Sequence, residues 1–161
     1  MLKLGIISDT HGQVNETVQA IRQFRERQVE TVIHCGDIGN ANTARVFRRI
    51  TTHFVLGNSD FDEELIRVTI EETGNHFHGW FGSVELSGKR IAFLHGNDSD
   101  KFDQESKSGN WDLLCYGHTH VADLKMHGST ALLNPGAFKQ VPSPTVAIVT
   151  LPDLTVERFR V

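Results

Sequence analysis

Thiols are scarce in this sequence. Its two cysteines, Cys35 and Cys115, lie far apart, each beside an apolar run, and neither belongs to a zinc-type pair. That excludes a disulfide scaffold and a thiolate metal site, and buried reduced thiols are the expectation. An excess of positive charge is missing too. With 16 basic against 20 acidic residues the formal net charge is −4, so a broad polyanion-binding surface is disfavoured and no stable nucleic-acid partner is expected. Long apolar runs are also lacking. The first run begins at Leu2 and is interrupted by Asp9, too early for a signal-peptide core or a membrane span. A cytoplasmic location without a membrane partner is expected. Internal repeats, linkers and low-complexity tracts do not occur, and 161 residues are expected to form one domain, residues 1–161.

What the chain does contain is a series of short apolar runs, each broken by a residue able to bind metal. Leu4 to Ile7 runs into Asp9 and His11, Thr31 to Ile33 into Asp37, Phe54 to Leu56 into Asn58, and Ile91 to Leu94 into His95. Leu113 to Tyr116 then breaks at Gly117 and delivers His118 and His120. On a locally extended chain that spacing puts two imidazoles on one side. In open α/β folds the ends of the strands are where ligands sit.

Between the runs, Val14 to Arg27 carries apolar residues at Val14, Val18, Ile21 and Phe24 and predicts an amphipathic helix. Val29 to Cys35 predicts a second strand, Ala41 to Arg49 a second helix capped by Asn40 or Asn42, and His53 to Leu56 a third strand. This βαβα order implies parallel strands with right-handed crossovers. Leu65 to Thr73 fits either a short helix or an irregular connection. Val84 and Leu86, Ser87-Gly88, then Ile91 and Phe93 predict a β-hairpin. Asp98 to Ser108 predicts a helix or a mobile loop. Short strands follow at Asp112 to Tyr116, around Leu124 and at Ala131 to Leu133, and Thr145 to Leu151 with Leu154 to Phe159 closes the chain as a hairpin. The fold class is α/β: a parallel βαβ half, then a more antiparallel half, packed as a two-sheet β-sandwich flanked by helices.

Asp9, His11, Asp37, Asn58, His95, His118 and His120 offer more ligands than one zinc-like ion takes from protein. They suit two divalent ions sharing a carboxylate, with a metal-bridging hydroxide as nucleophile for in-line displacement at phosphorus. Asp37 is the natural bridge, since Gly36 lets the backbone come close. Imidazole-rich ligation points to Mn, Fe, Ni, Co or Zn rather than Ca or Mg. Asn58 would complete a shell without adding negative charge.

The ordered motifs Asp9-Thr10-His11, Gly36-Asp37, Gly57-Asn58, His95-Gly96 and Gly117-His118-Thr119-His120 resemble the signature of the calcineurin-like metallophosphoesterases. The likeness is to their small single-domain prokaryotic phosphodiesterases and extends to Asn134-Pro135-Gly136. It implies a four-layer αββα fold and two ions, Mn foremost. Asp9, His11, Asp37 and His120 would hold the first ion, and Asp37, Asn58, His95 and His118 the second. Catalysis would fall to Asp37, Asn58 and His95, acting on a small phosphate-ester substrate. Larger members place a histidine after the asparagine to help the leaving group; here Ser59 takes that slot. A phosphomonoesterase on the same site, or a non-catalytic scaffold like the relative found in a membrane-trafficking coat, are the alternative readings. A homo-oligomer is compatible with the sequence.

The remaining histidines carry less. His34 is expected as a packed core residue, with support of the site as the second reading. His53, His76, His78 and His127 are expected to be structural or exposed. Arg22, Arg25, Arg27, Arg45, Arg48 and Arg49 fall on predicted helices as solvated faces. Ser87-Gly88-Lys89-Arg90 lacks the spacing of a phosphate loop. Substrate would be recognised by loops such as 59–64, 96–109 and 137–144.

Overall fold

Strand and helix alternate through the first half because each apolar run is followed by an amphipathic stretch. The computed structural model describes all 161 residues. β1 (Leu2–Ile7) leads into α1 (Val14–Glu26), β2 (Thr31–His34) into α2 (Ala41–Arg45), and β3 (Thr51–Phe54) into α3 (Glu63–Glu72); a short edge strand, β4 (His76–Phe77), follows. These four strands pair in parallel. The second half comprises β5 (Phe81–Leu86), β6 (Lys89–Leu94), α4 (Ser99–Lys107), β7 (Leu113–Cys115), β8 (Asp123–His127), β9 (Thr130–Asn134), β10 (Thr145–Leu151) and β11 (Thr155–Arg160). One sheet runs β11-β10-β1-β2-β3-β4 and the other β5-β6-β7-β9-β8. The second half is antiparallel at its hairpins and where β10 returns beside β1, while β6, β7 and β9 at its centre are parallel.

Strand alternation divides the core into three layers of contact. Leu4 and Ile6 of β1 and Ala147, Val149 and Leu151 of β10 face the second sheet, where they meet Ile91, Phe93, Leu113 and Leu133 together with the free thiols Cys35 and Cys115. Ile7, Val146 and Ile148 face the other way, onto Ile21 and Phe24 of α1 and Ile66 and Ile70 of α3. Outside the second sheet, Leu94, Leu114 and Leu132 are covered by Phe102 of α4 and by Trp111. The order helix, sheet, sheet, helix follows. Phe24 is fully buried, and its truncation to alanine would cost about 3–5 kcal/mol.

Three of the four helices begin at side-chain caps; α1 has none. Asn40 accepts from the Thr43 N–H at 2.9 Å, Asp62 from Leu65, and Asp98 from Lys101 at 3.0 Å. The Asp98 cap makes 99–107 a helix rather than a loose loop. Two local expectations change, and one open alternative is decided. α1 buries Thr17, Ala20, Ile21 and Phe24, while Val18 faces a groove beside Arg22, Arg25 and Arg48. α2 gives way after Arg45 to tighter turns, Val46 to Thr43 and Phe47 to Ala44, that drive Phe47 inward. Of the two readings of residues 65–73 the helix holds: α3 spans Glu63–Glu72, buries Ile66, Thr69 and Ile70 and leaves Leu65 exposed. The β5–β6 turn has Ser87 and Gly88 at φ of 51° and 72°, as a two-residue hairpin requires. No helix is long and apolar enough to cross a membrane.

Candidate metal centre

The loops that follow β1, β2, β3, β6 and β7 meet at one end of the sandwich, joined by backbone bonds. The Asp9 N–H donates to the Gly36 carbonyl at 3.0 Å, His11 to Asp37 at 2.9 Å, and Gly117 to His95 at 3.0 Å. Asp9, His11, Asp37, His118 and His120 all have left-handed backbone, with φ between 44° and 66°. For non-glycine residues this costs roughly 1–2 kcal/mol each. Strain of this kind persists where the surroundings over-determine it, and it gathers at functional sites. It also corrects the reading of His118 and His120: the chain there is not extended, and the two rings reach different neighbours.

Gly57 and Gly117 are what let the loops close. A Cβ on Gly57 would collide with the Asp37 carboxylate, and one on Gly117 with Ser8 and Asp9. Gly36, at φ 89°, would meet the Gly57 backbone at 2.8 Å.

Four of the seven sequence candidates converge. Asp9, His11, Asp37 and His120 each place one ligand atom within 4.8 Å of all the others. His120 Nε2 is 3.1 Å from Asp9 Oδ1 and 3.3 Å from His11 Nε2, and His11 Nε2 is 3.4 Å from Asp37 Oδ2. Two ligands each about 2.0–2.2 Å from one ion stand roughly 2.8–3.6 Å apart at octahedral to tetrahedral angles. His95 adds a fifth member, its Nε2 3.2 Å from the same Asp37 Oδ2 and 3.9 Å from Asp9 Oδ1. Asp37 Oδ2 thus lies between two imidazoles. His118 adjoins the cluster through its backbone N–H, 3.1 Å from Asp9 Oδ2, and its ring stands edge-on to His95 at 5.2 Å. Asn58 is exposed and is tied to the others by no side-chain hydrogen bond.

The hydrogen bonds around the cluster turn its free electron pairs inward. His95 Nδ1 is 2.8 Å from the Cys35 carbonyl, which can only accept, so Nδ1 carries the proton and Nε2 keeps its lone pair. Asp9 Oδ2 accepts from the Ser8 hydroxyl and the His118 N–H, which leaves Oδ1 facing the cluster. Asp9 Oδ1 and His95 Nε2 are fully buried without a hydrogen-bond partner. Buried polar atoms are rarely left so, and a cation among these donors would satisfy both.

Charge follows the geometry. Burial pushes Asp37 up, but His95 and the Ser59 N–H outweigh it and hold the carboxyl well below the usual range. Burial likewise opposes ionisation of Asp9, and His11, His95 and Ser8 reverse it. Burial lowers His95, and the Asp37 and Asp9 carboxylates raise it above its ordinary value. Both acids are therefore anionic, as ligands must be, and protons compete with metal for the imidazoles.

Residues outside the candidate set complete the site. Asp60 is buried and accepts from the Gly57 N–H at 2.9 Å and the Gly39 N–H at 2.8 Å, which fixes two of the loops. Asn134 donates to the Gly117 carbonyl at 2.9 Å and to Thr119 Oγ1 at 3.1 Å, pinning the histidine loop. Asn134-Pro135-Gly136 was legible as a motif but not as a brace. His34 is both a core residue and a support: its ring stacks on Phe54 at 5.5 Å, and its Nε2 lies 2.9 Å from Oγ1 of Thr10, which stands between the ligand candidates Asp9 and His11. His53, His76 and His78 form a separate cluster, with His53 Nδ1 2.9 Å from His78 Nε2.

The calcineurin-like phosphoesterase superfamily domain matches residues 2–153. The chain belongs to that family, which makes it by class a phosphoric ester hydrolase, and its two aspartates and two histidines form a group that could hold a metal ion. It is 30% identical to a phosphodiesterase of Methanocaldococcus jannaschii over 84% of this chain and 83% of that protein. It is 26% identical to a phosphodiesterase of Escherichia coli over 85% and 79% of the two chains. A solved archaeal phosphodiesterase superposes with a TM-score of 0.93 at 27% identity, covering 99% of this chain and 100% of that one. The vacuolar protein sorting 29 protein of Cryptosporidium parvum shares the fold alone, with a TM-score of 0.65 at 17% identity over 99% and 96%.

Proposed function

We propose that this chain is a binuclear metal-dependent phosphodiesterase acting on small phosphate esters, with residues 1–161 as one catalytic domain. The observation that carries the reading is the pair of buried, partnerless atoms Asp9 Oδ1 and His95 Nε2, 3.9 Å apart, with His95 Nε2 3.2 Å from Asp37 Oδ2. Asp9, His11, Asp37 and His120 would hold one ion, and Asp37, Asn58, His95 and His118 the second, with Mn favoured by the oxygen and imidazole donors. When bound, the two ions supply Lewis acidity and a hydroxide nucleophile.

The protein's own groups do the positioning. Asp37 sets the spacing of the centre, and Ser59 fixes both of its oxygens. The Cys35 carbonyl holds His95 in the tautomer that presents Nε2. Two divalent ions, two carboxylates and a hydroxide leave a single positive charge, which a singly charged diester neutralises and a doubly charged monoester overshoots. The Ser59 hydroxyl is engaged with Asp37, so it has no proton to offer a departing alkoxide. Diesters with stable aryl or nucleotide leaving groups therefore suit the site. A scaffold role is disfavoured by the filled ligand positions.

The test is hydrolysis of an aryl phosphodiester. Activity should vanish with chelator and return with Mn. Turnover that persists in the stripped protein would refute the reading.

A further inference from the structure

The mouth of the metal centre carries an aromatic side chain that the fold does not use. Phe61 is 91% exposed, whereas Phe24, Phe47, Phe54 and Phe93 are completely buried. Its backbone is nonetheless held on both sides. Asp60 is tied to Gly57 and Gly39, and Asp62 caps α3. A large apolar ring is thus presented to solvent from a fixed position, which is how a binding surface limits its entropic cost. Phe61 shares a cleft of about 420 Å³ with His11, Gly39, Ser59, Lys139 and Gln140. One wall of this cleft is a metal-ligand candidate and another is a hydrogen-bond partner of Asp37. An ester arm leaving a phosphate held at His11 has this space to enter. The groups that await it are a ring face, one cation and the polar side chains of Ser59 and Gln140. That combination fits a planar heterocycle with a hydrogen-bonding rim better than a lipid tail or a sugar, since the cleft has no apolar lining beyond Phe61.

We propose that the Phe61 cleft is a subsite for a nucleobase, so that the substrate class is a phosphodiester with a nucleoside arm. Phe61 stacks on the base, and Lys139 pairs with phosphate charge. This rests on the phosphodiesterase reading above for the scissile bond, but binding can be measured without turnover. Stacking of a base on an aromatic side chain is worth about tenfold or more in affinity by alanine substitution.

The experiment compares AMP with ribose 5-phosphate, which carries a hydroxyl at C1 in place of the base, by calorimetry on the Mn-loaded protein. The wild type should bind AMP about tenfold more tightly. Phe61→Ala should reduce that preference to within about twofold, Phe61→Trp should keep it, and Lys139→Ala should weaken both ligands together. Equal affinities in the wild type, or a preference that survives Phe61→Ala, would overturn the proposal. So would a dimer in sedimentation that Phe61→Ala dissolves, because the ring would then be covered by a second copy. Hydrolysis of p-nitrophenyl thymidine 5′-phosphate and of methyl p-nitrophenyl phosphate separates the two claims. A protein that prefers AMP but cleaves neither ester contradicts the phosphodiesterase reading alone; one that cleaves both equally well and shows no AMP preference contradicts the subsite alone.

Discussion

Ser59 grips both oxygens of Asp37, with its backbone N–H 2.8 Å from Oδ1 and its hydroxyl 3.1 Å from Oδ2. The residue in the slot where larger relatives carry a leaving-group histidine is thus committed to orienting the bridging candidate. Ser59→Ala should weaken metal binding about tenfold, as loss of groups that orient ligands typically does, with most activity recovered at saturating Mn. Metal titrations of the two proteins check this. Ser59→His should raise monoester turnover relative to diester turnover by supplying a proton donor; an unchanged ratio would remove leaving-group chemistry from the account.

Asp37→Asn should damage activity at least as much as any other ligand change. Asp37 Oδ2 is the atom shared between His11 and His95, at 3.4 and 3.2 Å. An amide there loses the charge that would bind both ions. His120→Ala should weaken chiefly one site, since His120 lies against Asp9 and His11. Elemental analysis after reconstitution distinguishes them: low occupancy throughout in Asp37→Asn, one retained ion in His120→Ala. Near-wild-type turnover in Asp37→Asn would remove it from the bridging role.

Asn134→Ala should destabilise the fold by about 1–3 kcal/mol, because it leaves the Gly117 carbonyl and the Thr119 hydroxyl without their buried donor. It should also weaken metal binding, since His118 and His120 flank Thr119 in that loop. A drop in Tm without any change in metal affinity would make Asn134 a structural residue only.

In the metal-free protein the burial of His34 should cost stability between neutral pH and pH 5, opposite in sign to the contribution of the raised His95. Burial pushes His34 down to about 3 from an ordinary value of 6.5. Between those values the unfolded chain binds a proton that the folded chain refuses. The contribution is complete above pH 6.5 and falls as pH drops through the window, by up to about 1.4 kcal/mol per pH unit. Urea unfolding at pH 7 and pH 5 should show a difference that His34→Gln reduces by about 2 kcal/mol. His53, lowered by burial to about 4, supplies part of the remaining slope. Identical pH dependence in the two proteins would remove His34 as its source.

Much of the architecture could be read from the sequence because the apolar runs and their breaks are local signals. The βαβα order, the Ser87-Gly88 hairpin and the closing hairpin rest on period and turn chemistry alone. What escaped depends on tertiary contact. Leu65 and Ile66 look equivalent in sequence, and only docking of α3 on the sheet decides that Ile66 is the buried one. Strand β4 has two residues and exists because β3 offers an edge. The candidate ligands were legible as strand-end residues, but the left-handed backbone that gathers them was not. Ser59, Asp60 and Asn134 act across 15 to 22 residues of sequence, through hydrogen bonds that no local pattern encodes.

Activity should depend on two ions, not one. The most direct measurement is stepwise addition of Mn to stripped protein while hydrolysis of an aryl phosphodiester is followed and bound metal is counted. Activity should rise chiefly with the second equivalent and level off at two ions per chain, because Asp37 would serve both sites and neither ion alone completes the centre. Full activity at one equivalent, or turnover indifferent to metal, would contradict the binuclear phosphodiesterase directly.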